Sequence, residues 1–268
     1  MLISVGIDLK PFNVEDAATW LRTLTRYDKT TEDTELSEDI VKMLGGLPLA
    51  IYNVATAILR RDLSFAEFLQ LYSQEAFRAE LYQSQHGSRK PLWATFALDD
   101  LSAGASALLH VLCFLNPDSI PDTLLTNFFK QNDKTLDTDS HLEGFPNSQL
   151  TLMEARAELN TTSLITRNPK SQDITIHRVV QAATIASMEV ETLSRAFRTT
   201  LKVLAKAWPD HTFDWNLTRW KLSEPLLPHV LHLASQFEMS QTLQEDIQDQ
   251  CIEFARLLVA AAWYVPSR

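Results

Sequence analysis

The stretch Ser163-Leu164-Ile165-Thr166-Arg167-Asn168-Pro169-Lys170-Ser171-Gln172-Asp173-Ile174-Thr175-Ile176-His177-Arg178-Val179-Val180-Gln181 decides the fold. Two short runs rich in β-branched residues, Ser163 to Thr166 and Ile174 to His177, flank the polar turn 168–173. Inside a chain that otherwise reads as helical, this is a hairpin signal. Ile174 and Ile176 fall on one face of the second strand, Thr175 and His177 on the other. Val179, Ala183 and Ala186 follow at helical spacing, so His177 is expected where a strand hands over to a helix.

Three helical patterns precede the hairpin. Ser102 caps a helix carrying Ala105, Leu108, Leu109 and Leu112, stopped by Asn116-Pro117. A second follows Pro121 with Leu124, Leu125, Phe128 and Phe129, and a third runs from Leu150 to Leu159. The polar stretch 130–148 between the last two reads as a surface loop. Three helices followed by a two-stranded wing predict a winged-helix domain over 98–190.

Upstream, Asn13 is placed to cap a helix with the stripe Val14, Ala17, Ala18 and Leu21. A charged spacer from Arg26 to Glu35 is expected next. Then comes a helix opened by Ser37 that carries Ile40, Met43, Leu44 and Leu47. Gly45-Gly46 ends it and Pro48 starts another, through Ile51, Val54, Ala55, Ile58 and Leu59. Ser64-Phe65-Ala66-Glu67 has the capping-box pattern. Residues 1–75 are thus predicted to be a helical bundle and 76–97 a polar connection. Downstream, 191–268 stays helical, with stripes at Leu193, Phe197, Leu201 and Leu204, then Leu231, Leu233 and Ala234, and a last helix from Ile252 to Tyr264. Met1 to Val5 reads as a single strand. The fold class is mainly α: a bundle, a winged helix with one small hairpin, and a further helical segment.

Composition narrows the function. The chain has 268 residues with net charge -10, 45% hydrophobic and 22% charged, the balance of a globular protein. The negative charge opposes nucleic acid and anionic membrane as partners, since phosphate binding needs a positive surface. The helix that would read bases, Met153 to Leu159, carries one arginine against two glutamates. Cys113 and Cys251 are the only cysteines, which fits a reducing, cytoplasmic compartment. No apolar run reaches the length of a membrane span.

Among the six glycines none belongs to GxxxxGK[ST] or GxGxxG, so no phosphate-cradling loop is encoded and no catalysis is expected from the chain alone. Asp99 and Asp100 follow an apolar run as metal-holding acids do, but Trp93, Phe96 and Asp100 share helical spacing, and a helix cap follows. His229 and His232 have the spacing of two metal ligands on one helix, with no third ligand evident in sequence.

Gly46-Leu47-Pro48-Leu49-Ala50 resembles the GLPL motif of NB-ARC nucleotide switches, the family of NOD-like receptors and plant resistance proteins. Leu9-Lys10-Pro11-Phe12 is similar to the lead-in of the same helical subdomain. Leu164 to Asn168 and Ile174 to Gln181 resemble the family's winged helix, with His177 on the histidine of its MHD motif. The wording His-Arg-Val-Val-Gln is most similar to fungal members that carry tetratricopeptide repeats. The resemblance implies that Pro48, with Gly46 and Leu47 beside it, lies against the adenine side of a bound ADP or ATP. It implies that His177 donates a hydrogen bond to the β-phosphate of ADP. The partners it implies are an upstream nucleotide-binding domain, downstream repeats, and further copies of the chain on activation. Two departures stand out: Arg178 replaces the acidic residue after the histidine, and the phosphate loop would have to lie upstream of Met1. A winged-helix module for nucleic acid or protein docking is the alternative, and a purely structural helical scaffold a third.

Overall fold

Helix signals written locally in the sequence are obeyed in the computed structural model, which describes residues 12–27, 31–83, 98–130, 143–209, 222–246 and 251–262. The expected strand at Met1 to Val5, the lead-in from Leu9 to Pro11, the Trp93 to Ala97 stretch, loop residues 131–142 and the end of the last helix at Trp263-Tyr264 lie outside the described residues. The chain divides into two compact units, Met1–Phe77 and Arg78–Arg268.

In the first unit, α1 (Val14–Thr25) starts at Asn13, whose side chain accepts from the Asp16 amide, and packs against α2 (Thr31–Met43) and α3 (Pro48–Arg61). Packing on α2 is also the role of α4 (Phe65–Tyr72), which opens with the full capping box of Ser64 and Glu67. Ala17, Leu21, Ile40, Leu44, Ile51, Ile58, Phe65 and Phe68 form the buried core.

Two expectations are corrected here. Ser37 does not open α2; the helix begins at Thr31, and Ser37 lies buried inside it. Its hydroxyl donates to the Thr34 carbonyl (2.8 Å) and accepts from the Arg22 guanidinium of α1 (2.8 Å). The first turns of α2 hold polar residues, so apolar periodicity detects the helix only from Ile40 onward. Second, the supposed connection after Glu75 begins as a helix, α5 (Glu75–Gln83), whose buried positions Phe77 and Leu81 stand one turn apart. Phe77 meets the Phe68 ring edge-on (5.9 Å) and lies under the Arg61 guanidinium (5.3 Å).

The second unit opens with the 3₁₀ turn Leu98–Asp100 and α6 (Ala103–Leu112), capped by Ser102. Next come α7 (Asp122–Lys130) and α8 (Gln149–Thr161), then the hairpin of β1 (Ile165–Arg167) and β2 (Ile174–Ile176). The strands pair antiparallel with Ile165 opposite Ile176 and Arg167 opposite Ile174. Ile165, Ile174 and Ile176 point into the core formed by Leu108, Leu112, Leu152 and Leu159. The described chain is mainly helical, with this one small sheet.

Helix α9 (Arg178–Ser187) follows directly and packs on α6; α10 (Val190–Ala207) packs on both α6 and α7. Leu193, Phe197, Leu201 and Leu204 are all buried along α10. Phe197 is the hub of an aromatic cluster with Phe114, Phe237 and Phe254, at ring-centroid distances of 5.8, 5.7 and 5.5 Å. Through it α10 is joined to α11 (Leu227–Met239) and α13 (Cys251–Ala262), with the short α12 (Gln241–Asp246) beside them. Leu231, expected on the buried stripe of α11, is 53% exposed. The buried face runs instead through His229, Val230 and Leu233, because α11 turns its histidines inward.

Candidate functional site

Strand β2 is held on its free edge by the turn after α6. Ile120 and Ile174 exchange both backbone bonds (2.8 Å each), and the Ile176 amide donates to the Pro117 carbonyl (3.0 Å). This clamp fixes where β2 ends and therefore where His177 stands.

His177 is the N-cap of α9, in extended conformation (φ -71°, ψ 134°), with its ring half-buried. Its Nδ1 accepts from the Val179 amide at 3.2 Å, doing with an imidazole what serine or aspartate usually does at this position. A ring whose Nδ1 accepts carries its neutral-form proton on Nε2, which makes Nε2–H the donor. Four residues on, the Gln181 side chain is buried and donates to the Leu115 carbonyl (2.9 Å), tying the first turn of α9 to the end of α6. Arg178 reaches the Asp118 carboxylate through one guanidinium nitrogen (2.7 and 2.9 Å). Both partners are largely exposed, so this pair orients the turn while adding little stability.

A family model described as a domain of unknown function (DUF7779) matches residues 96–193. That stretch takes in α6 to α9, the hairpin and His177, and only the beginning of α10. A search of curated proteins returned no match to this chain.

The other expected site residues lie in the first unit. Gly46 closes α2 with φ +70°; its amide donates to the Val41 carbonyl (3.2 Å) and its carbonyl accepts from the Phe12 amide (3.0 Å). Leu47 then stands in extended conformation as the N-cap of α3 and Pro48 takes the first helical position, both half-buried. Gly46, Leu47 and Pro48 thus form one turn, and His177 belongs to the separate unit.

Two clusters escape sequence reading. The Asp122 carboxylate, nearly buried at the start of α7, accepts from Arg156 of α8 and from Arg167 of β1 (3.0 Å to the latter). Arg167 also contacts the Gln172 side chain at the far end of the wing turn. These partners are 34 and 45 residues from Asp122, so no local pattern announces them. The second cluster surrounds His229. Its Nδ1 accepts from the Asn116 amide at 3.1 Å, so that nitrogen is already engaged in the fold. Among the described residues no group of three or more His, Cys, Asp or Glu side chains is placed to hold a metal. No described helix is long and apolar enough to cross a membrane.

Proposed function

We propose that this chain is the regulatory lid and oligomerisation part of an ADP/ATP-dependent signalling ATPase of the NB-ARC type, working in the cytoplasm. His177 is its latch. The observation that carries this reading is the placement of that ring: its Nδ1 accepts from the Val179 amide at the head of α9, which puts the neutral-form proton on Nε2. A histidine so held is prepared to donate to a phosphate oxygen. A charge-assisted bond of that kind contributes about 1.5–3 kcal/mol, a bias of one to two powers of ten on a closed–open equilibrium. A complete switch needs roughly 5.5 kcal/mol, so packing between subdomains has to supply the remainder. The resemblance of the turn at Gly46, Leu47 and Pro48 to the family's motif supports a separate role for that turn, against the adenine side of a bound nucleotide. The nucleotide-binding domain would precede Met1, and tetratricopeptide-type helices would continue the array begun by α11 and α13.

On this reading the chain by itself neither hydrolyses ATP nor holds nucleotide tightly. Calorimetric titration with ADP should show no binding tighter than about 0.1 mM. Low-micromolar binding would sink the proposal. In a parent chain that carries the phosphate loop, His177→Ala should speed ADP loss and favour the oligomer; unchanged ADP retention and assembly would remove the latch role.

One observation favours a second reading, docking of a protein on the winged helix. The outward face of α8 presents Leu150 (65% exposed) and Met153 (49% exposed) beside Glu154. An apolar and acidic face suits a protein partner better than phosphates. Salt-dependent binding to duplex DNA would argue against both readings.

A further inference from the structure

The turn 116–120 is gripped from two sides, by β2 and α9 on one and by α11 on the other. On the α11 side the contact is an imidazole. His229 is 1% exposed, its Nδ1 accepts from the Asn116 amide (3.1 Å), and its Nε2 is buried without completing a hydrogen bond. One turn further along, the half-buried His232 has the Gln236 side-chain nitrogen 3.4 Å from its Nε2. The remaining packing of α11 here is apolar, with Phe237 set against Phe197 of α10.

Protonation works against this arrangement. The added proton would sit on Nδ1, the atom that now accepts, and two N–H donors would face each other across about 3 Å. The charge would be created where water does not reach. The charged groups that face the pair are Asp173 at the head of β2 and Asp118 in the turn, which favour a cation, and Arg178 of α9, which opposes one. Both carboxylates are already engaged, Asp173 by the Ser119 hydroxyl (3.0 Å) and Asp118 by Arg178.

We propose that α11 docks on the winged-helix core most tightly while His229 is neutral, so that mild acid weakens its hold on the 116–120 turn. The device would let the helical segment respond to pH, and it stands whether or not the chain works as a nucleotide-gated lid. Burial holds His229 down to about 4, against an ordinary value of 6.5. Protons therefore bind the released form more tightly. Docking is at full strength above pH 6.5, weakens as pH falls toward 4, and changes no further below that. Between pH 7.5 and 5 the docked-to-released ratio should fall about 30-fold. His232, lowered by burial and by Arg178, adds in the same direction.

The test is NMR on the full chain, with amide exchange at Asn116 corrected for its intrinsic pH dependence, and direct titration of the His229 ring. Wild type should lose about 30-fold of Asn116 protection between pH 7.5 and 5. The His229 ring should stay an Nε2–H tautomer, charging only well below pH 6. His229→Gln keeps an acceptor and a donor but cannot charge, so it should hold most of its protection at pH 5. The proposal is overturned if His229→Gln loses protection in parallel with wild type. It is equally overturned if the wild-type ring charges near pH 6.5 while Asn116 stays protected, a measurement that decides even if the variant fails to fold.

Discussion

Asp122 joins three elements of the winged helix, and its removal should cost far more than removal of either arm. The side chains of Asp122, Arg156 and Arg167 are 10%, 14% and 29% exposed. Asp122→Ala leaves two guanidiniums beside each other without the anion between them. Removing one partner of a buried pair costs about 3–5 kcal/mol, and the partial exposure of Arg167 places this case at the lower end, about 3 kcal/mol. Losing an acidic residue from the first turn of α7 adds about 0.3–1 kcal/mol. Arg167→Ala, in contrast, leaves Asp122 still paired with Arg156 and should cost only about 1 kcal/mol. Urea unfolding followed by circular dichroism, reading the transition of the second unit, gives both numbers. Adding salt should change the Asp122→Ala cost little, because buried pairs are screened far less than surface ones. Equal costs for the two variants, or less than about 1 kcal/mol for Asp122→Ala, would show that water solvates the guanidiniums and would refute the ledger.

Two further outcomes follow from local geometry. Gly46→Ala should destabilise the first unit by about 2–4 kcal/mol, since φ is +70° and a Cβ would stand 2.3 Å from the Phe12 carbonyl oxygen, a backbone atom that no rotamer change can move. A variant that unfolds in urea within about 1 kcal/mol of wild type would contradict this. Burial pushes the Cys113 thiol well above the ordinary cysteine range, so it should resist an aromatic disulfide reagent at pH 8 until the second unit unfolds. Reaction faster than unfolding would show that α6 opens locally.

What the sequence announced was local. Asn13, Ser64 and Ser102 cap helices through bonds to residues three positions on, and such caps are visible within one turn of chain. The hairpin was legible because alternation in Ile174, Thr175 and Ile176 is a two-residue pattern, and His177 was legible because that pattern ends on it. Periodicity misled wherever a buried face is polar. Ser37 is buried through hydrogen bonds and His229 through the Asn116 amide, so neither registers as core: apolar periodicity starts α2 too late and puts Leu231 on the buried stripe of α11. Among the described side chains of α5, Phe77 and Leu81 mark the inner face, too few to separate a helix from a polar connection.

The least legible element is the one on which the site depends. Asn116-Pro117 reads in sequence only as a stop signal after α6. In the fold, the backbone from Leu115 to Ile120 accepts from Gln181 and Ile176, pairs with Ile174, and donates to His229, partners that lie up to 113 residues away. Such bonds satisfy buried polar groups that would otherwise each cost about 1–3 kcal/mol, so the turn is fixed by its neighbours and not by its own residues. The His229 bond ties α11 to Asn116, and the same short turn carries Pro117, Asp118 and Ile120, which hold the end of β2 and the first residue of α9 on either side of His177. Only the short backbone of the turn therefore separates the α11 contact from the residues that flank His177, whose ring is itself tied through Nδ1 to the first turn of α9.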